Sequence, residues 1–476
     1  MSSLRTSLLS LINSEQSALS ALESNDPGIR YHAAWWLGKH RVQNSVPALI
    51  RCLHDRRDET STGGFPLRRQ AARSLGLIKN KSCVEELVKT LTESDDILLH
   101  EASIRSLIDL GSKECIAPLI SYFNSEVPGK PIESLIEAFT LFKAWSIKDK
   151  ISPYLLDDSA RIKGAANAYF YACTNDKAHL AQIFALLSHD NPFARQSAAF
   201  DLARVATLEE GSSILSANIP NNIKLHVLKE ILSRSITPNI ENSQTDSKPL
   251  SRQEIKWMAT MDQLVAETTN GNLLNQKHQI SPRSLDVSNE QQSASDIITK
   301  AIELLKSRTP SDREYGIHLL SALSIQDPSI ILSLHQKETD QDVIMGLIKT
   351  MASTGCPEFA SVLMEAIGLE IANHCQGNIR RVAACGLGRI GSEMLEPFIR
   401  SQIVNKLTWT IVHPEDWGLR YSAATALEQI ANHDARISLA DAYEIENDFL
   451  VKKRIGLALL KTTPVHIIQE QKPGAL

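Results

Sequence analysis

Residues 30–38 read Arg30-Tyr31-His32-Ala33-Ala34-Trp35-Trp36-Leu37-Gly38, and their arrangement of an Arg, a small pair, a Leu and a Gly returns at Arg68-Arg69-Gln70-Ala71-Ala72-Arg73-Ser74-Leu75-Gly76. The second half of the chain repeats it as Arg380-Arg381-Val382-Ala383-Ala384-Cys385-Gly386-Leu387-Gly388 and Arg420-Tyr421-Ser422-Ala423-Ala424-Thr425-Ala426-Leu427, with weaker copies near Ala165-Ala166 and from Arg195 to Leu202. Successive copies lie roughly 30 to 40 residues apart, the period of helical-pair repeats. Alanine at the crossing lets two helices approach closely, while leucine at helical spacing fills the layer between them. A second apolar helix follows each copy, as in Val46-Pro47-Ala48-Leu49-Ile50 and Cys115-Ile116-Ala117-Pro118-Leu119-Ile120, with the proline in the first turn, where its missing N–H costs nothing. Asn25-Asp26-Pro27 and His189-Asp190-Asn191-Pro192 put capping side chains before helix starts. No stretch sustains period-two alternation with β-branched enrichment.

The predicted fold is all-α, an α/α solenoid of HEAT-like (armadillo-like) helical repeats. The pattern lapses in the middle. Residues 237–250 (TPNIENSQTDSKPL) and 271–295 (GNLLNQKHQISPRSLDVSNEQQSAS) are rich in Asn, Ser, Gln and Pro and offer no apolar stripe to bury. Between them Ile255, Met258, Met261, Leu264 and Val265 recur at helical spacing, which predicts one short helix over 254–268 packed on a flanking array. The expected organisation is two arrays, residues 1–236 and 296–476, joined by an irregular centre over 237–295.

Of 476 residues 43% are hydrophobic and 22% charged, which suits a chain with a sizeable core. Fifty Lys+Arg against 55 Asp+Glu leave a formal charge of −5, so no global positive field favours a nucleic-acid partner. Apolar runs are short, and MSSLRTSLLSLINSEQ lacks the layout of a signal peptide; no membrane insertion and a cytoplasmic location are expected. Seven cysteines (Cys52, Cys83, Cys115, Cys173, Cys356, Cys375, Cys385) occur without a CxxC pair and read as reduced, small hydrophobes. There is no P-loop, Rossmann glycine pattern or G-x-S-x-G elbow, and Gly386-x-Gly388 lies inside a repeat helix that follows no strand. The histidines are scattered and His374-Cys375 has no partner pair at zinc-ligand spacing, so no metal is expected.

The stretch Arg30 to Lys39 is more specific than a generic repeat helix, because a Trp pair is bulky where such helices want compact packing. It resembles the E/F-type phycobilin lyases of cyanobacteria, most sharply over residues 26–41, with Asp416-Trp417 and Arg420-Tyr421 as an echo. Two arrays in a single chain look like the phycoerythrin-directed branch of that family. The resemblance implies attachment of phycoerythrobilin, an open-chain tetrapyrrole, through a thioether to a cysteine of a phycoerythrin subunit, the α subunit favoured. Isomerisation to phycourobilin accompanies attachment in some members. A phycoerythrin subunit is the implied partner, with a helper lyase or chaperone subunit as a further one. The bilin is substrate, and no cofactor is expected.

In this chemistry the acceptor supplies the thiolate, so the lyase needs no nucleophile of its own. It needs aromatic walls for the pyrroles, cations for two propionates, a carboxylate for the pyrrole N–H groups and a placed acid. Aromatic residues are 5% of the chain, yet Tyr31, Trp35, Trp36, Trp409, Trp417 and Tyr421 lie on or next to the Arg-containing helices. Tyr31 and Trp35 share a helix face, whereas Trp35 and Trp36 cannot point the same way. Arg68, Arg69, Arg380 and Arg381 are candidates for the propionates, with Arg420 beside Tyr421, since guanidinium forks hold carboxylates bidentately. The alternative is that each pairs with an Asp of the adjacent loop and only ties the repeats together. For proton transfer, Asp312 and Tyr315 stand three apart at a helix start, with His318 three further on; Asp312 as a simple helix cap is the alternative.

Two other functions compete. Deoxyhypusine hydroxylases, also HEAT-repeat proteins, bind two irons through several His-Glu pairs, and here His-Glu occurs once, at His100-Glu101. A non-catalytic scaffold or chaperone for phycobiliprotein assembly is the stronger rival, because most solenoids bind proteins along one face. A scaffold needs no aromatic cluster beside paired arginines and leaves the absorbance of free bilin unchanged.

Overall fold

A computed structural model describes residues 12–236, 249–266, 293–307, 309–368, 377–393, 396–412 and 416–462. Among the described residues every regular element is helical, and no helix is long and apolar enough to cross a membrane. The chain forms two compact units, Met1–Ala206 and Thr207–Leu476.

The first unit contains α1 (Glu15–Ala21), α2 (Pro27–Lys39), α3 (Val46–Leu53), α4 (Pro66–Ile78), α5 (Val84–Glu93), α6 (Ile97–Leu110), α7 (Ile116–Asn124), α8 (Ile132–Leu141), α9 (Lys148–Ile151), α10 (Ala160–Thr174), α11 (Lys177–Leu186) and α12 (Pro192–Val205). Helices α2, α4, α6, α8, α10 and α12 stack side by side in one layer, and α3, α5, α7 and α11 lie behind them. Capping carboxylates set the helix starts. Asp26 accepts from the amides of Gly28 and Ile29 at the head of α2, with Pro27 next to it, and Asp96 does the same for Leu98 and Leu99 in α6.

The front layer is the crowded one. A methyl group on Gly38 would lie 2.6 Å from Ser74 Cα, so α2 and α4 meet backbone to backbone. There the Ser74 hydroxyl donates to the Ala34 carbonyl at 2.7 Å, and one repeat later Ser106 donates to the Ala72 carbonyl at 2.8 Å. The small pairs of the repeat are thus the crossing points, while Leu37, Leu75 and Leu107 are fully buried in the core.

The second unit contains α13 (Gly211–Ser216), α14 (Asn221–Ile236), α15 (Arg252–Ala266), α16 (Ala294–Leu305), α17 (Pro310–Gln326), α18 (Pro328–Lys337), α19 (Gln341–Thr354), α20 (Ala360–Ile367), α21 (Gly377–Glu393), α22 (Pro397–Ile411), α23 (Trp417–Ile430), α24 (His433–Ile445) and α25 (Phe449–Thr462). Its crowded layer is α17, α19, α21, α23 and α25, with a Gly388 methyl falling 2.6 Å from Ala426 Cα. Helix α14 lies in the stretch that the sequence pattern assigns to the first array. It buries Leu225, Leu228, Ile231 and Leu232 and packs against α15 and α25, within the second unit. Helix α15 is the short central helix, found two residues earlier than its apolar spacing marks, with Met258, Met261 and Val265 buried against α21 and α23. Residues 237–248 and 267–292, which make up most of the expected linker, lie outside the described residues, as does His374-Cys375.

Replacing Gly38 by Val is expected to force α2 away from α4 and destabilise the first unit by about 1–3 kcal/mol. Leu77→Ala, on the exposed side of α4, is expected to change stability by no more than about 0.5 kcal/mol. Circular-dichroism melts of the two variants would separate them; equal midpoints would contradict the backbone contact.

Candidate functional site

The hydrogen bonds from Ser74 to Ala34 and from Ser106 to Ala72 align successive helices. Ala34 and Ala72 hold the same place, and so do Ser74 and Ser106; it follows that Trp35, Arg73 and Arg105 are equivalent. One helical turn either way, Tyr31 and Lys39 in α2 correspond to Arg69 and Leu77 in α4. Among the described residues these positions form the open face of the crowded layer, turned away from the helices behind. Tyr31 is 37% exposed and Leu77 43%, Arg73 is exposed, and Trp35 and Lys39 are half-buried.

Around Trp35 the first unit gathers an aromatic and cationic group. The His32 ring stacks on the indole with centroids 4.9 Å apart, and Lys39 Nζ lies 4.2 Å from the Trp35 ring centre. Burial, reinforced by the Lys39 charge, pulls the His32 pKa below its usual value and keeps the imidazole neutral at pH 7. Trp36 turns the other way, packing on the core and stacking with His40 at 3.9 Å. Of the tryptophan pair, Trp35 therefore belongs to the open face and Trp36 to the interior.

The paired arginines divide their work within each pair. Arg68 is buried and its Nε donates to the carbonyl of Leu53, the last residue of α3; Arg380 Nε donates likewise, at 2.6 Å, to Ile367, the last residue of α20. Each guanidinium thus satisfies an orphan carbonyl at a helix C-terminus and meets the negative end of its dipole. The second arginine grips the next repeat. Arg69 holds Asp96 through two bonds of 2.8 Å, and Arg381 holds Asp416 at 3.2 and 2.9 Å, each Asp being the N-cap of the following crowded-layer helix. This is the repeat-tying geometry in both halves.

In the second unit Arg420 forks onto Glu446 at 2.7 and 3.0 Å. Tyr421 is fully buried, and its hydroxyl donates to the Met258 carbonyl of α15 at 3.2 Å. Burial, with the Asp262 charge behind it, pushes the phenol well above its usual pKa and keeps it protonated. Asp262 of α15 also pairs with Arg454 at 3.0 and 3.2 Å, and Arg454 bonds Glu428 in turn. Trp417 is half-buried beside Tyr421, with Arg381 5.8 Å and Lys229 5.5 Å from its ring centre. The segments Asp26-x-Gly-x-Arg30-Tyr31 and Asp416-x-Gly-x-Arg420-Tyr421 match, yet Tyr31 is open and Tyr421 lies under α15.

The proposed proton-transfer pair sits on α17. Asp312 accepts from the Ser307 hydroxyl at 2.7 Å, while the helix is capped at Thr309. Tyr315 is 38% exposed with Lys300 Nζ 5.5 Å from its ring centre, and His318 is exposed one turn on. Among the described residues no hydrogen bond joins Asp312 to Tyr315. Trp409 stands apart on α22 with Lys406 4.5 Å from its ring centre. His100 is buried between the Tyr122 hydroxyl and the Ser94 carbonyl, each at 2.7 Å, an arrangement that uses both ring nitrogens. Lys39 and Arg73 were not among the residues that sequence reasoning selects. The signal for both was present: each falls four residues after a selected residue, Trp35 or Arg69, on the same helix face.

Residues 29–55 match the model of the PBS lyase HEAT-like repeat. The Bilin biosynthesis protein PecE of Nostoc sp. strain PCC 7120 is 42% identical over 233 residues, covering 49% of this chain and 92% of that protein. The Phycocyanobilin lyase subunit alpha of the same organism is 33% identical over 261 residues, with 52% of this chain and 92% of that protein covered. The Bilin biosynthesis protein PecF of that organism is 36% identical over 164 residues, 34% of this chain and 95% of its own length.

Replacing Tyr421 by Phe removes the side-chain hydrogen bond onto the Met258 carbonyl, which keeps its intrahelical partner, so the change is expected to cost about 0.5–1.5 kcal/mol and to loosen α15 on its seat. Hydrogen exchange should then quicken over residues 252–266 and stay unchanged in α2 and α4. Unaltered exchange in α15 would show that the hydroxyl does not hold it.

Proposed function

We propose, for a chain that belongs to the HEAT-like-repeat family of phycobilin lyases, that it attaches phycoerythrobilin through a thioether to a cysteine of a phycoerythrin subunit, the α subunit favoured. The observation that carries the lyase reading is the match along 92% of the length of a phycocyanobilin lyase subunit. The open face of α2, with Tyr31 and Trp35 beside Lys39, supports it as a wall for conjugated pyrroles.

In the reaction the acceptor thiolate adds to the ethylidene carbon of the first pyrrole ring. One C–S bond forms, the exocyclic double bond is consumed, and a proton is taken up on the ring carbon. No oxidant or resident cofactor takes part. Isomerisation to phycourobilin moves one further proton between bilin carbons, and Tyr315 with Asp312 on α17 are the candidates for that transfer. Holding thiol and bilin in line can remove about 7–11 kcal/mol of barrier, which a rigid repeat frame is suited to do.

PecE and PecF are separate proteins in Nostoc, and this chain resembles nearly the full length of each. Two repeat units in one polypeptide support the reading that it unites parts which those relatives carry on two chains, with any helper subunit as an additional partner. A second reading, a phycocyanin-class acceptor or bilin, is favoured by the name of the relative directed at phycocyanobilin. A scaffold without catalysis is the third.

Co-expression with a bilin-making pathway and separate phycoerythrin or phycocyanin subunits tests all three. Covalent fluorescence on a phycoerythrin subunit in a denaturing gel is expected, and its absorbance in acid urea decides between attachment and isomerisation. Colour confined to a phycocyanin subunit would transfer the acceptor; colour on none, with subunits still bound, would leave the scaffold. Tyr315→Phe is expected to change the ratio of isomerised to plain product, and an unchanged yield and spectrum would remove Tyr315 from the mechanism.

A further inference from the structure

Where one crowded-layer helix crosses the next, the residue directly before the buried leucine is small and uncharged: Ser74 in α4, Ser106 in α6, Gly386 in α21 and Ala426 in α23. In α12 the same place, directly before the buried Leu202, is held by Asp201, which is itself fully buried. Its Oδ1 accepts from Arg204. Its Oδ2 has no hydrogen-bond partner and lies against Gly164 of α10, where a methyl group would come within 2.5 Å of it.

Asp201 ends a chain of ion pairs that runs across the first unit. Arg204 bonds Glu137 of α8 at 3.0 Å as well as Asp201, and Glu137 lies 3.7 Å from Arg105 of α6, which pairs with Glu101. Ser197 of α12 donates to Glu133 of α8 at 2.5 Å, and Arg161 of α10 meets the same carboxylate at 2.5 Å. Ser197 and Arg204 thus clasp α8 from α12 across the intervening α10. In this chain Arg105, Arg161 and Arg204 face Glu101, Glu133, Glu137 and Asp201, so three guanidiniums answer four carboxylates.

The remaining charged residues on α12 and on the helices packed against it do not make up the difference. Arg195 is bonded to the carbonyls of His189 and Asp190, and His179 of α11 to Asn167. Lys163 of α10 is half-buried and Lys177 of α11 exposed. A buried carboxylate with one oxygen unpartnered is costly, and the neutral acid is far less so. Burial pushes the Asp201 carboxyl up to about 7 against the pull of Arg204, with Glu137 and Glu133 adding to the rise.

We propose that Asp201 is a protonation switch in the clasp between α8 and α12: with its proton it leaves Arg204 to Glu137, and without it the fourth carboxylate loosens α12. The switch stands apart from the lyase reading. Its sign follows from linkage. In an unfolded chain an Asp ionises near its ordinary value of about 3.9, so the folded unit loses stability as pH rises from there to about 7, and little more beyond. An opening of α12 that exposes Asp201 to water therefore becomes about tenfold more frequent between pH 6 and pH 8.

The test is hydrogen exchange of the full-length protein at pH 6 and pH 8, with each amide's rate divided by its rate in an unstructured chain at the same pH. In the wild type, residues 192–205 are expected to open about tenfold more at pH 8. Asp201→Asn keeps the shape without the ionisable group, and Asp201→Ser installs the residue that the frame uses at Ser74; each is expected to abolish the difference. A pH difference that survives in either variant would assign it to another group, His179 being the nearest candidate, and would overturn the proposal. So would a wild-type α12 that opens equally at both pH values, a result that needs no variant to fold.

Discussion

Direct backbone contact between successive helices of the crowded layer governs what every other side chain can do. Where α2 meets α4, Gly38 and Ala34 leave room for Ser74 alone, and the same crossing recurs between Gly388 and Ala426. A helix gripped on one side by the repeat before it, on another by the repeat after it, and behind by leucines has one stripe left. That stripe recurs every fourth residue, as at Tyr31, Trp35 and Lys39. The frame therefore chooses the candidate ligand-facing positions before any chemistry is considered.

This explains why the most repetitive feature of the sequence says least about function. Arg68 and Arg380 recur because a helix C-terminus needs its carbonyls satisfied, and Arg69 and Arg381 recur because an N-cap carboxylate needs a partner from the preceding repeat. Asp96 and Asp416 serve twice, as cap and as counter-ion, so each links a helix start to the neighbouring helix. The residues equivalent to Trp35 in the same helices are Arg73, Cys385 and Thr425, and they vary because neither a helix cap nor the pairing of one repeat with the next depends on them. In a repeat array, departure from the pattern carries more functional information than agreement with it.

The helical repeats, their crossings and their caps were legible from spacing alone, because each depends on residues close in sequence. The separate fates of Tyr31 and Tyr421 were not. Their local sequences match, and what distinguishes them is α15, which reaches Tyr421 across 163 positions and Arg454 across 192. Helical spacing identified the apolar side of α15 through Met258, Met261 and Val265, but a stripe does not name its seat. For the tryptophan pair, geometry required that the two indoles part, and only the neighbouring core decided that Trp36 turns inward.

Charge completes the logic of the first unit. The chain is net negative, so a dicarboxylate approaching it is repelled on average. Between α6 and α12, Arg105, Arg161 and Arg204 each pair with a carboxylate, and a neutralised pair has little field beyond a Debye length of about 8 Å. Beside the Tyr31 and Trp35 rings Arg73 is exposed, and Lys39 is half-buried over the indole. The Gly38 contact fixes the heights of α2 and α4, and with them the places of the Tyr31 and Trp35 rings.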